Sequence, residues 1–334
     1  MRDLFYKLIQ QQHLSREETR GAFEAIMSGQ ASDAQVAGLL MAMATKGVCL
    51  DELIGAAGVM REKVVPVPLT KDEVVLDTCG TGGDVKGTFN ISTAAAILVA
   101  ACGVKVVKHG NRSASSKSGS ADVLEKIGVR LDLTPAQLRD CLDSAGICFA
   151  FARNHHPAMK HVAAARTSLG VPTIFNLLGP LTNPAKARYQ LLGVYSRHLT
   201  QLLAGVLKET GSHRAWVVHA EDGLDELSTL GVTHVCELKD GNVDCWTIDP
   251  AGLGLIKPKL EDLQVDSVDA SAIAIRAIMN GEYGPKRDIA ALNAAAGLVI
   301  TDNARDLGHG LAIVDQAITS GRAREKLQKL VQFA

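Results

Sequence analysis

Four short segments carry side chains able to do chemistry, and each follows a short apolar run. The first, Thr78-Cys79-Gly80-Thr81-Gly82-Gly83-Asp84, leads through Thr88, Asn90 and Ile91 to Ser92, Thr93 and an alanine-rich stretch. Its glycines let backbone N–H groups approach an anion, and Ser92 or Thr93 at a helix start adds a hydroxyl and the positive dipole end. That is the outline of a phosphate cradle, although neither a GK[ST] ending nor a GxGxxG fingerprint is present. An ordinary glycine-rich turn with a serine cap has the same outline.

The second segment, KHGNRSASSKSGSAD (108–122), sets Lys108, Arg112 and Lys117 among five serines. Serine and glycine enrichment alone describes a solvated linker. Three cations with His109 and Asn111, between two well-patterned elements, favour a polyanion site, with Lys108 placed directly after a strand end. The third segment gathers four carboxylates, Glu221, Asp222, Asp225 and Glu226. Such a cluster is either highly solvated or bridged by a cation, and Mg²⁺ commonly takes one or two carboxylates together with substrate phosphates. The fourth, Arg153-Asn154-His155-His156, leads to His161 and Arg166. Adjacent histidines lack the i, i+4 spacing of helical zinc ligands and no HExxH is present, so they read as polar lining or a helix cap. Arg166 is either an ordinary surface arginine or a partner for an acidic substrate.

These segments need a scaffold. The first seventy residues read as helices: Ser15 and Glu18 have capping-box spacing, Ser32 and Asp33 precede another apolar stretch, and Gly29 and Gly47 stand where helices stop. The prolines at 66 and 68 mark an extended connector. Beyond it, VVLD (74–77), VKVV (104–107), CFAFA (148–152), QLLGVY (190–195) and RAWVV (214–218) alternate with helices opened by Thr134-Pro135 or Pro157 and closed by Gly146 or Gly170. This pattern predicts an α/β domain with a mainly parallel sheet, whose ligands bind beyond the carboxyl ends of the strands. The stretch TIDPAGLGLIKPKLEDL reads as irregular, and from about Asp266 the chain is again helix-rich.

Composition bounds the rest. The 334 residues, 47% hydrophobic, are enough for a full core. A net charge of −1 provides no global field for nucleic acid or an anionic membrane, so any cationic function is local. The N-terminus resembles neither a signal nor a transit peptide, and no apolar run approaches the roughly 20 residues of a membrane span. Seven dispersed cysteines (49, 79, 102, 141, 148, 236, 245) disfavour a disulfide framework and a zinc site and point to the cytoplasm.

Taken together, GTGGD (80–84), TFNIST (88–93), KHGNRSASSKSGSADVLE (108–125), RNHHPAMKHVA (153–163), TIFNLLGPLTNPA (173–185) and GLDELS (223–228) resemble the anthranilate phosphoribosyltransferases of tryptophan biosynthesis. The likeness runs over essentially the whole chain. It implies a small all-helical N-terminal domain (1–70, with part of 157–185 packed on it) and a larger nucleoside-phosphorylase-like α/β domain (71–334). It also implies a homodimer joined through the helical domain.

The resemblance assigns phosphoribosyl pyrophosphate to Gly80, Gly83, Asp84, Thr88, Asn90, Ile91, Ser92 and Thr93. The same donor falls to Lys108, His109, Gly110, Asn111, Arg112, Ser113, Ala114, Ser115, Ser116 and Ser120. Anthranilate falls to Gly80, Asn111 and Arg166, and Mg²⁺ to Ser92, Asp225 and Glu226, with no general base. Lys86 stands where many relatives have a small glycine-rich tripeptide, and either tunes donor affinity or points to solvent. Two rivals are a pyrimidine nucleoside phosphorylase, whose KHSTGG-like loop is absent, and a nucleic-acid-binding relative of the fold, which the net charge opposes.

Overall fold

A computed structural model describes residues 1–112 and 118–333. Four helices open the chain: α1 (Arg2–Ile9), α2 (Arg16–Met27), α3 (Asp33–Lys46) and α4 (Leu50–Lys63). Ser15 with Glu18 and Ser32 with Gln35 form reciprocal capping boxes at α2 and α3, satisfying amides that a helix start leaves without partners. An extended connector follows, pinned where Val65 N–H donates to the His155 carbonyl at 2.8 Å.

The α/β portion then runs β1 (Val75–Gly80), α5 (Ile91–Ala101), β2 (Lys105–Gly110), α6 (Ser120–Ile127), α7 (Pro135–Ala145) and β3 (Ile147–Phe151). Next come α8 (Ala152–His155), α9 (Lys160–Leu169), α10 (Ile174–Leu178), β4 (Tyr189–Gly193), α11 (His198–Glu209) and β5 (Arg214–Ala220). The chain closes with β6 (Thr233–Lys239), β7 (Asn242–Ile248), α12 (Val268–Met279), α13 (Pro285–Ile300), α14 (Leu307–Thr319) and α15 (Arg322–Gln332). Strand order in the seven-stranded sheet is β3-β2-β1-β4-β5-β6-β7, parallel as far as β5 and antiparallel for β6 and β7.

Each face of the sheet has its own core. On one, Leu76, Val106, Leu191 and Val218 pack with the apolar residues of α5, α13 and α14. On the other, Leu192, Val194, Ala215 and Val217 join α11 and a helical layer made of α1–α4 together with α9 and α10. The late helices are drawn into that layer by apolar contact: Phe175 of α10 lies 5.6 Å, centroid to centroid, from Phe23 of α2.

Two sequence expectations need correction. THVCELKDGNVDCWTI, which no strand candidate covered, forms the β6–β7 hairpin, turned by Asp240 and Gly241 at φ +50 and +74. The dispersed cysteines contain one pair after all, because that register sets Cys236 opposite Cys245 and the two form a disulfide. The other five are free thiols.

Candidate active site

The strand order places β1 at the point where the chain turns one way to β2 and the other way to β4. In a parallel sheet this switch opens a crevice beyond the carboxyl ends of the strands. Loops from β1, β2, β4 and β5 meet there.

The loop after β5 is held against the loop after β1. Gly82 N–H donates to Asp225 Oδ2 at 3.0 Å, and Ser92 N–H, in the first turn of α5, donates to Glu226 Oε1 at 3.2 Å. Gly80 and Gly193, facing each other at the ends of β1 and β4, leave no space for a Cβ against Asp225. Asp84 lies in the same corner, its Oδ1 accepting Lys86 N–H at 3.2 Å. Among the described residues, none of Asp84, Asp225 and Glu226 forms an ion pair with a basic side chain. Their carboxyls are pushed up accordingly. Desolvation and then the neighbouring Asp84 charge raise Asp225 to about 7. Glu226 is raised by desolvation and by Asp225, and Asp84 by desolvation above all. Clustered hard oxygen donors that no basic side chain bridges suit Mg²⁺.

Lys108 is not a loop residue. β2 continues through Gly110, which pairs with Phe151, so Lys108 lies inside the sheet and is 3% exposed. Its Nζ donates to the Thr78 carbonyl and, at 3.2 Å, to Ser92 Oγ. Burial lowers its pKa while Asp77 opposes the shift. Asp77, fully buried, accepts the His109 N–H at 3.1 Å, and burial raises its carboxyl. Lys108 therefore fixes the Ser92 hydroxyl from below.

Beyond the undescribed residues, Ser118 is tied to Asn90 at the start of α5. Asn90 Nδ2 donates to the Ser118 carbonyl at 3.1 Å, and Asn90 Oδ1 accepts the Ser118 and Ser271 hydroxyls, each at 2.7 Å. Asn111 is exposed, and its carbonyl accepts Ser120 Oγ at 3.4 Å. Arg112 is engaged by Asp122 and Glu125 at 2.8 and 2.7 Å. Ser113, Ala114, Ser115, Ser116 and Lys117 lie outside the described residues. Ile91 and Thr93 turn their side chains into the core, leaving only main-chain groups to face a ligand.

The remaining candidates separate by environment. Arg166, half-buried on α9, stands over the Phe175 ring at 5.4 Å and forms no ion pair among the described residues. Desolvation lowers its pKa. His155 and His156 are buried. His155 Nδ1 meets the Val65 carbonyl at 2.7 Å, and His156 Nε2 meets His109 Nε2 at 3.2 Å. Burial holds His156 at about 4 and His109 well below the usual imidazole range, so this is a neutral structural pair. Lys86 lies across Gly223, its Cε 3.0 Å and its Nζ 3.1 Å from where a Cβ on that glycine would sit. Gly193, Ser271 and Asn293 belong to the site's framework yet escaped sequence reasoning. A glycine ending a strand and one asparagine inside an alanine-rich helix were the available signals.

Fold and site together define a glycosyl transferase built from two units. The family described as glycosyl transferase family, helical bundle domain, matches residues 2–64, and glycosyl transferase family, a/b domain, matches residues 72–324. The chain is 49% identical to an anthranilate phosphoribosyltransferase of Rhodopseudomonas palustris, over 95% of this chain and 94% of that protein. It is 50% identical to one of Methylobacterium nodulans with the same coverage. The crystal structure of anthranilate phosphoribosyltransferase from Thermus thermophilus superposes with a TM-score of 0.91 at 40% identity, covering 98% of each chain. The Saccharomyces cerevisiae enzyme, in complex with phosphoribosyl pyrophosphate and Mg, gives 0.90 at 26% identity over 98% of this chain and 96% of that one. The chain belongs to the anthranilate phosphoribosyltransferase family.

Proposed function

We propose that the crevice moves the 5-phosphoribosyl group of phosphoribosyl pyrophosphate onto the amine of anthranilate and releases pyrophosphate. The observation that carries this reading is the meeting of the Asp225-Glu226 loop with the first turn of α5, where acidic oxygens and helix-start amides face one crevice. The names of the relatives support it over a nucleoside phosphorylase or a nucleic-acid-binding protein.

Asp225, Glu226 and the Ser92 hydroxyl hold Mg²⁺ in this reading, and the ion, when bound, offsets the charge on the departing pyrophosphate. Gly80, Gly83, Asp84 and Thr88 line the donor's path. Asn90 through Thr93 present the helix start to its pyrophosphate, and the stretch from Lys108 to Ser120 binds the rest. Asn111, Gly80 and Arg166 receive anthranilate, Arg166 by its carboxylate. The amine loses its proton only as the C–N bond forms, so positioning replaces a strong base.

The helical unit is formed by residues 1–70 with α9 and α10, the α/β unit by the remainder of 71–334. A homodimer through the helical layer suits the exposed Tyr6, Ile9 and Met41. The five free thiols favour a reducing cytoplasm, and no helix among the described residues is long and apolar enough to cross a membrane. Calorimetric titration with phosphoribosyl pyrophosphate tests the donor assignment. Binding that requires Mg²⁺ supports it, and no binding in either condition contradicts it.

A further inference from the structure

Asn293 is fully buried within the alanine-rich α13, and the donor and metal assignments above leave it without a role. Two of its three side-chain hydrogen bonds go to one residue of another loop. Asn293 Oδ1 accepts the Leu227 N–H at 3.0 Å, and Asn293 Nδ2 donates to the Leu227 carbonyl at 2.8 Å and to the Ile289 carbonyl at 2.9 Å. The carboxamide thus pairs with both main-chain groups of Leu227, as a neighbouring strand would.

Leu227 directly follows Glu226. On the other side of the two acids, Leu224 is tied down by its N–H to Asp222 Oδ1 at 3.0 Å and by its carbonyl, which accepts Ala220 N–H at 3.0 Å. Asp225 and Glu226 therefore sit on a short span fixed at both ends, and Asn293 is the fixture on the Glu226 side. We infer that Asn293 is the positioning residue that sets the place of the Asp225-Glu226 pair against the start of α5, and with it the enzyme's demand for Mg²⁺. The inference rests on the reading of those two acids as metal ligands. Partners one step behind metal ligands govern affinity by holding the ligand atoms in place, and without Asn293 the Leu227 N–H and C=O are buried without a partner.

The test uses the full chain in four forms: wild type, Asn293→Leu, Asn293→Thr and Thr301→Val. Threonine keeps a hydroxyl for the Ile289 carbonyl but is too short for Leu227, so it serves if the leucine variant does not fold. Thr301→Val removes a buried hydrogen bond from the same helix, Thr301 Oγ1 to the Gly297 carbonyl at 2.8 Å, away from the acidic loop. Donor affinity is measured by calorimetry across a series of Mg²⁺ concentrations, and exchange of the Leu227 amide is followed by NMR or mass spectrometry.

For both Asn293 variants the Mg²⁺ concentration giving half-maximal donor affinity should rise roughly 10- to 100-fold. Leu227 exchange should quicken, the KM for anthranilate should stay put, and Thr301→Val should match wild type. A wild-type Mg²⁺ half-point in an Asn293 variant, or an equal rise in Thr301→Val, overturns the inference. Asp225→Asn with Glu226→Gln is run alongside. If that double variant keeps a wild-type half-point, the metal assignment has failed and the inference with it. If it loses Mg²⁺ dependence while the Asn293 variants keep a wild-type half-point, the inference alone has failed.

Discussion

A Cβ built on Gly193, at the end of β4, would lie 1.5 Å from the main-chain carbonyl oxygen of Asp225. No side-chain adjustment relieves a clash with backbone, so alanine at 193 must displace the acidic loop. We expect Gly193→Ala to lower kcat/KM for the donor by about 100-fold or more, the usual consequence of moving a reacting site by an ångström. Circular dichroism should remain that of the folded protein. Steady-state kinetics at saturating anthranilate checks it, and near-normal turnover would show that the loop tolerates the shift.

Asp225→Asn with Glu226→Gln replaces the two carboxylates by neutral amides of similar shape. Both acids are held above their ordinary range in the ligand-free protein, so the change removes a destabilising concentration of charge. Activity should fall at least about 100-fold while thermal stability is kept or raised. Turnover that still responds to Mg²⁺ as in wild type would place the metal elsewhere.

Arg166 presents a half-buried guanidinium with no acidic partner among the described residues. Arg166→Ala should raise the KM for anthranilate roughly 10- to 100-fold, the cost of one charge-assisted hydrogen bond, with little change in the KM for the donor. Equal effects on both constants would point to a disturbed fold, and no effect would remove Arg166 from the site.

The His109–His156 pair predicts an acid sensitivity. An unfolded chain takes up a proton on His156 near pH 6.5, which the folded protein refuses until about pH 4. Its contribution is thus fully present above pH 6.5 and is lost as pH falls toward 4, by about 3 kcal/mol at most. Urea unfolding at pH 7 and pH 5 should show a smaller loss for His156→Gln than for wild type. Parallel losses would assign the sensitivity to other groups.

Local rules made much of the scaffold readable. The capping boxes at Ser15 and Ser32 and the strands β1 to β5 depend on neighbours in sequence. The β6–β7 hairpin was harder, because His234, Glu237 and Asp244 interrupt its apolar pattern and most of β7 is exposed. Only Asp240-Gly241 announced the turn. Lys108 was misplaced because the length of β2 is set by pairing with β3, far onward in the chain. In the site, glycines and hydroxyls advertised an anion cradle. The contacts that aim it, Gly193 on Asp225 and Asn293 on Leu227, join residues far apart in sequence, and no local pattern reports them.

The central claim is tested most directly by the fluorescence of anthranilate. With purified protein, phosphoribosyl pyrophosphate and Mg²⁺, the signal should decay as the amine is consumed, and omission of the donor, the metal or the protein should each stop the decay. A signal that stays constant with every component present would contradict the assignment.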